Sequence, residues 1–138
     1  MVSSASWEVQ KAIINRLTAD TAIQNLVGNP ARVFDYATES VDFPYIEYKE
    51  NSTQEWDTDL DIGKEHTISL NVWSRAEGSK ETWLILRAIE SSLQDFTSLT
   101  LNDHNHVNMR FLFSDLVRDP DGQTYHGIAQ YRIITEEV

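Results

Sequence analysis

Polar and apolar positions alternate most cleanly along Glu65-His66-Thr67-Ile68-Ser69-Leu70-Asn71-Val72-Trp73-Ser74. His66, Ile68, Leu70 and Val72 share one side, and Thr67, Ser69, Asn71 and Trp73 share the other. A period of two predicts a strand with one face on a core. After Arg75-Ala76-Glu77-Gly78 the period changes to that of a helix, with Ile85, Ala88, Ile89, Ser92, Leu93 and Phe96 on one stripe. Ser79 is the expected N-cap, and Glu81 sits in the first turn, where the helix dipole favours a carboxylate. This strand and this helix can cover each other, and the rest of the chain is expected to pack around them.

Upstream, Val9, Ala12, Ile13 and Leu17 predict a helix capped by Ser6, with Lys11 and Arg16 outward. A jog at residues 18–20 separates it from a second helix, capped by Asp20 or Thr21 and carrying Ala22, Ile23, Leu26 and Val27. Gly28 suits a left-handed C-cap. Arg32-Val33-Phe34-Asp35 reads as a short strand and residues 36–42 as a loop. Phe43-Pro44 opens an extended run through Tyr45, Ile46 and Tyr48, because a residue before proline is pushed out of the helical region. Residues 51–63 are polar and acidic with Trp56, Leu60 and Ile62 interspersed; too long for a tight turn, they form an extended hairpin arm or a mobile loop.

Residues 97–106 read as a connection without pattern. Val107, Met109, Phe111 and Phe113 then predict a half-buried strand. Asp119-Pro120-Asp121-Gly122 is a turn, since proline presets one dihedral and glycine accepts a positive one. The returning strand, residues 123–135, puts Tyr125, Gly127, Ala129, Tyr131 and Ile133 on one side and His126, Ile128, Gln130, Arg132 and Ile134 on the other. The order predicts an α+β fold: a mostly antiparallel β-sheet with two main helical segments packed on one face, plus a long β-hairpin arm.

At 138 residues the chain is expected to be a single domain, 1–138. A chain of this size buries roughly 68–70% of its unfolded surface, enough for a core without staples. There is no cysteine, so disulfides and thiolate metal sites are excluded. No apolar run reaches the length of a membrane span, and no signal-peptide pattern opens the chain. The expectation is a soluble protein with no membrane partner. The net charge of −11, with 22 acidic against 11 basic residues, excludes stable binding to phosphate backbones. An acidic surface instead keeps a protein soluble, or forms a wall past which DNA slides without sticking.

Candidate chemistry is sparse. Asp57, Asp59 and Asp61 suggest a calcium loop, but the glycine and glutamate that an EF-hand requires are replaced by Ile62 and Ile68. Asp103-His104-Asn105-His106 offers two imidazoles, in a predicted loop and without a third metal ligand. His66 and His126 read as apolar-face histidines satisfied by hydrogen bonds. There is no nucleophile elbow, phosphate loop or paired cysteine. The expectation is a non-enzyme with no catalytic residue, cofactor or metal. The tryptophans say more. Trp56 in the acidic arm, Trp73 on the polar side of its strand and Trp83 off the helix stripe are candidate interface anchors. The alternative is that they pack on a partly covered second sheet face.

Taken in order, several segments resemble the tail terminator family, also called tail completion or tail-to-head joining proteins, of long-tailed phages and gene transfer agents. They are Leu17-Thr18-Ala19-Asp20 with Ile23 and Leu26-Val27-Gly28, Arg32-Val33-Phe34-Asp35, and Phe43-Pro44-Tyr45-Ile46. His66-Thr67-Ile68 then leads to Val72-Trp73-Ser74-Arg75 and Gly78, and Asp119-Pro120-Asp121-Gly122-Gln123-Thr124-Tyr125-His126-Gly127 precedes the last strand. The resemblance covers nearly the whole chain and rests on the order and spacing of these pieces. It implies a structural virion protein, assembled in the host cytoplasm and placed at the head-proximal end of the tail. Such a protein forms a hexameric ring on the tail tube protein, ends tube polymerisation and docks the head connector or stopper protein. DNA passes transiently through the lumen. An arm over residues 49–65 is then expected to reach a neighbouring subunit or the tube through Trp56, Asp57, Asp59, Leu60, Asp61 and Ile62, with Trp73 as a further contact. The competing reading is a small α+β ligand-binding or enzyme domain in which His66, His126 and Arg132 converge on one sheet face.

Overall fold

The computed structural model describes residues 3–37, 40–58, 62–94 and 99–138. In chain order these form α1 (Ala5–Thr18), α2 (Thr21–Val27), β1 (Val33–Phe34), β2 (Tyr45–Glu55), β3 (Gly63–Ser74), α3 (Lys80–Ser92), β4 (His104–Arg118) and β5 (Tyr125–Glu137). The strands make one sheet in the order β1-β2-β3-β5-β4, antiparallel except for the short parallel pair β1–β2. The three helices pack on one face of it, and the fold is α+β as expected.

Each element follows from its sequence, with local corrections. α1 is capped by Ser4, whose hydroxyl accepts the Trp7 N–H at 3.3 Å, not by Ser6. Asp20 caps α2 by accepting from Ala22 and Ile23, at 2.8 and 3.3 Å. Gly28 has a positive φ of 99° but a ψ of 167°, so the helix ends without the left-handed cap expected. Ser79 stands at the N-cap of α3 yet makes no capping hydrogen bond; Glu81 instead accepts from the Ser74 hydroxyl at 2.7 Å. Phe96 of the expected stripe lies outside the described residues.

The core lies between the helices and the sheet. Val9, Ile13 and Leu17 of α1 and Ile85 and Ile89 of α3 meet Ile46, Ile68, Leu70, Val72, Tyr131 and Ile133, all essentially inaccessible to water. The alternation read from residues 65–74 and 123–135 therefore holds, with His66 on the helix side and Thr67, Ser69, Asn71 and Trp73 on the open side. Gly127 of β5 makes the close approach of α3 possible: a Cβ there would stand 2.7 Å from Thr82 Cγ2 and 3.0 Å from Leu86 Cδ1.

Residues 51–55 take the extended-hairpin alternative: they continue β2, pairing as far as Glu55 with Lys64, so the β2–β3 hairpin is long. Two features differ from expectation. His104 to His106 are the start of β4, not a connection, because they pair with the end of β5. β4 is also irregular. Register shifts between His106 and Asn108 and between Phe111 and Phe113 break its simple alternation. Met109 and Phe111 pair with the inward Ile133 and Tyr131, whereas Phe113 pairs with the outward Gln130. Val107, Met109, Phe111 and Phe113 thus do not share one face, and β4 is mostly exposed.

Candidate assembly surfaces

The histidines split between the two sides of the sheet. His66 is fully buried on the helix side, 3.3 Å from Glu50 Oε1 and 3.1 Å from the Thr135 hydroxyl. Burial alone would raise the Glu50 carboxyl, but hydrogen bonds from His66 and Thr53 hold it below its ordinary value. His126 is on the open side, not the apolar one. It stacks on Trp73 with ring centres 3.9 Å apart and bonds Asn71 through Nε2 at 2.9 Å. Burial pushes its pKa down. Arg132 is on the open side too, paired with Glu65 at 3.1 Å. His66 therefore does not converge with His126 and Arg132, and the pocket required by the ligand-binding reading is not assembled from them.

His104 is taken by the fold: its Nε2 donates to the Ser3 carbonyl at 2.7 Å. Beside it, Asp103 accepts from the Ser3 backbone N–H at 2.9 Å, which lowers its pKa. Glu8, buried, accepts the Asn102 N–H at 2.9 Å and pairs with Lys11 at 3.0 Å, and these bonds lower its pKa. These contacts pin the chain start and the approach to β4 onto α1. Among the described residues no group of three or more His, Asp or Glu side chains is placed to hold a metal.

The predicted arm residues gather at the hairpin tip. The Trp56 N–H donates to the Gly63 carbonyl at 2.9 Å, and the Gly63 N–H donates to Asp57 Oδ1 at 3.0 Å. A Cβ on Gly63 would collide with the Trp56 carbonyl, so only glycine lets the tip close. Trp56 and Ile62 are exposed there. Asp59, Leu60 and Asp61 lie outside the described residues. Trp73 is not part of this surface. It lies ten positions along β3 from Gly63, about 33 Å at the usual rise per strand residue, and is half-buried against His126. Trp83 and Leu84 of α3 and Trp7 of α1 are exposed on the helix side.

Another surface was not foreseen. β4 is an outer strand of the sheet, 15 residues long, and carries Val107, Phe111, Leu112, Phe113 and Val117, each 37–46% exposed. A long edge rich in exposed apolar side chains is what soluble monomers avoid. The available signal was the apolar density of residues 107–117, but alternation assigned Val107, Met109, Phe111 and Phe113 to one inward face, whereas the register shifts turn Phe113 to the open side and leave Val107 and Leu112 at the irregularities.

Charge is distributed unevenly. On the open face Glu47, Glu65, Asp115 and Glu136 are nearly matched by Lys49, Arg110 and Arg132. Glu55, Asp57, Asp103, Glu136 and Glu137 crowd the end of the sheet that holds the hairpin tip.

Comparison with known proteins identifies this architecture. The chain is 24% identical over 131 residues to the tail completion protein gp17 of Bacillus phage SPP1, covering 93% of this chain and 92% of that one. Its fold matches a chain in the virion of a native gene transfer agent particle with a TM-score of 0.87 at 20% identity, covering 97% of this chain and 99% of that chain. It matches the structure of SPP1 gp17 with a TM-score of 0.64 at 23% identity, covering 94% and 89%. Residues 11–136 match the family model described as tail completion protein gp17, and the chain belongs to that family.

Proposed function

We propose that the chain is a tail terminator: a ring of identical copies that caps the tail tube at its head-proximal end, stops tube polymerisation and presents a docking surface to the head connector. Family membership over residues 11–136 carries this reading. Family members are structural tail proteins rather than enzymes, and the role needs no chemistry beyond shape and adhesion. A head-to-tail ring requires two different contact surfaces on each copy, and the exposed β4 edge and the hairpin tip with its exposed Trp56 and Ile62 are two such surfaces. The tip, with Trp56, Asp57 and Ile62 and the adjoining Asp59, Leu60 and Asp61, reaches the neighbouring copy or the tube. Trp73 contributes to the open face rather than to the tip.

DNA crosses the lumen in this reading. The acidic end of the sheet, with Glu55, Asp57, Glu136 and Glu137, then forms a rim that repels phosphates and prevents stalling.

The test is genetic and structural. Particles lacking the chain should carry tails of uncontrolled length and fail to join heads, and labelled chain should lie at the head-proximal end of intact tails. Deleting residues 54–61 should change oligomer size or tail length. Normal, joined tails without the chain would overturn the reading.

A further inference from the structure

Building on the ring reading, we propose that neighbouring copies join edge to edge, with residues 106–114 of β4 on one copy pairing as an added strand beside residues 49–55 of β2 on the next.

Both edges are open where this requires it. β1 shields only Ile46 and Glu47 of β2, and beyond Glu50 every residue of β2 is exposed. Among the described residues β4 has β5 on one side and no strand on the other. The two open segments also stand at the same height. Tracing the register across the sheet, Tyr48 aligns with Leu70, Ala129 and Ser114, and Glu55 aligns with Lys64, Thr135 and His106. A rotation about an axis along the strands therefore brings one segment beside the other without a shift along the axis, apart from any tilt of the strands.

Strand direction agrees. β2 and β5 run one way, β3 and β4 the other. Rotation about such an axis preserves that sense, so β4 meets the next β2 antiparallel, the better of the two ladders. The irregularities agree as well. β2 is bulged between Glu50 and Ser52, which stand level with Phe111 and Arg110, beside the β4 bulge at Leu112. A bulge leaves its extra residue out of the ladder, and with the two bulges level the interruption falls at one height of the joined edges.

The side chains are complementary. Between residues 106 and 114 β4 carries Arg110 and no carboxylate, in a chain of net charge −11, whereas residues 49–55 of β2 carry Glu50 and Glu55 against Lys49. Pairing also covers Val107, Leu112 and Phe113, which a lone copy leaves in water. These features select a second copy of this chain as the occupant.

The chain has no cysteine, so the contact can be read by disulfide trapping. Phe113→Cys is combined in turn with Lys49→Cys, Ser52→Cys and Gln54→Cys. All four positions face the open side, and the three β2 positions span the shift that strand tilt imposes. Cross-strand neighbours have Cβ atoms about 4.5–5.5 Å apart, close enough for a disulfide after small adjustment. At least one pair should convert ring-forming protein into a covalent ladder ending in closed rings on oxidation, while Phe113→Cys with Trp83→Cys should not. Independently, Val107→Lys with Leu112→Lys should abolish oligomers while leaving the monomer's circular dichroism and melting temperature unchanged. Rings seen by electron microscopy that trap through none of the three pairs would overturn the edge-to-edge contact and leave the ring reading intact. Trapping of Phe113→Cys to a tube subunit alone would also overturn it. Absence of rings, both in solution and on tail tubes, would overturn both.

Discussion

Gly127 has no room for a methyl group. Its Cβ would press on Thr82 and Leu86, two side chains of α3 that are themselves buried. Gly127→Ala should cost about 1–3 kcal/mol, the usual penalty for overpacking a close contact, measured as a lower midpoint in urea with an unchanged slope. His66 makes the opposite case, a polar side chain the interior cannot lose. Replacing it by leucine keeps the volume but removes the imidazole partner of the buried Thr135 hydroxyl and leaves Glu50 with Thr53 in place of both. His66→Leu should therefore destabilise by about 2 kcal/mol, within the range for a buried polar group left unsatisfied. If His66→Leu proves as stable as the parent, the histidine is merely a space-filler.

At the scale of elements, the hairpin tip depends on one position. Gly63 accepts from Trp56 and donates to Asp57, and its missing side chain allows the Trp56 carbonyl to approach. Gly63→Ala should open the tip. The expected outcome is faster amide exchange at Trp56 and Gly63, with the core strands unaffected. Equal exchange protection in the variant would show that the tip tolerates the methyl group. The helix caps are more local still: Asp20→Ala removes the side-chain bonds to two α2 amides and should cost about 1 kcal/mol, read from the denaturation midpoint. Correct elements could be read from period and cap chemistry because both are local properties. At residues 51–55 the sequence left an extended hairpin arm and a loop both open. The polar side chains of the arm are tolerated because it lies at a sheet edge, exposed beside β3, and a polar run alone does not distinguish an edge strand from a loop.

For the whole molecule, acid should weaken the fold. His106 and His126 have pKa values lowered by burial, so the unfolded chain takes up protons that the folded one refuses. Their contribution is complete above the unfolded histidine value of about 6.5 and is lost as pH falls through their lowered folded values. Glu8, Glu50, Asp103 and Asp121 have lowered pKa values as well, and their contribution fades further down, below the ordinary carboxylate values. Melting temperature should therefore fall from pH 7.5 to pH 5 and fall again towards pH 3. A flat profile between pH 7.5 and 5 would show that the two histidines are not shielded as the structure places them.

The order of helices and strands, the inward faces of β3 and β5, the turn at residues 119–122 and the resemblance to tail completion proteins were all present in the chain itself, because they rest on local periodicity, turn chemistry and spacing. Which strands would lie at the edges was decided only by the tertiary structure. β3 sits at the centre because both β2 and β5 pair with it along its length, and this leaves β4 outermost with its apolar residues in water. The separation of His66 from His126 and Arg132 follows from the same pairing, since face is set by position in the pleat and not by nearness in sequence. Periodicity reports that a residue has an inside and an outside; strand order, a non-local property, determines whether anything in the same chain covers it.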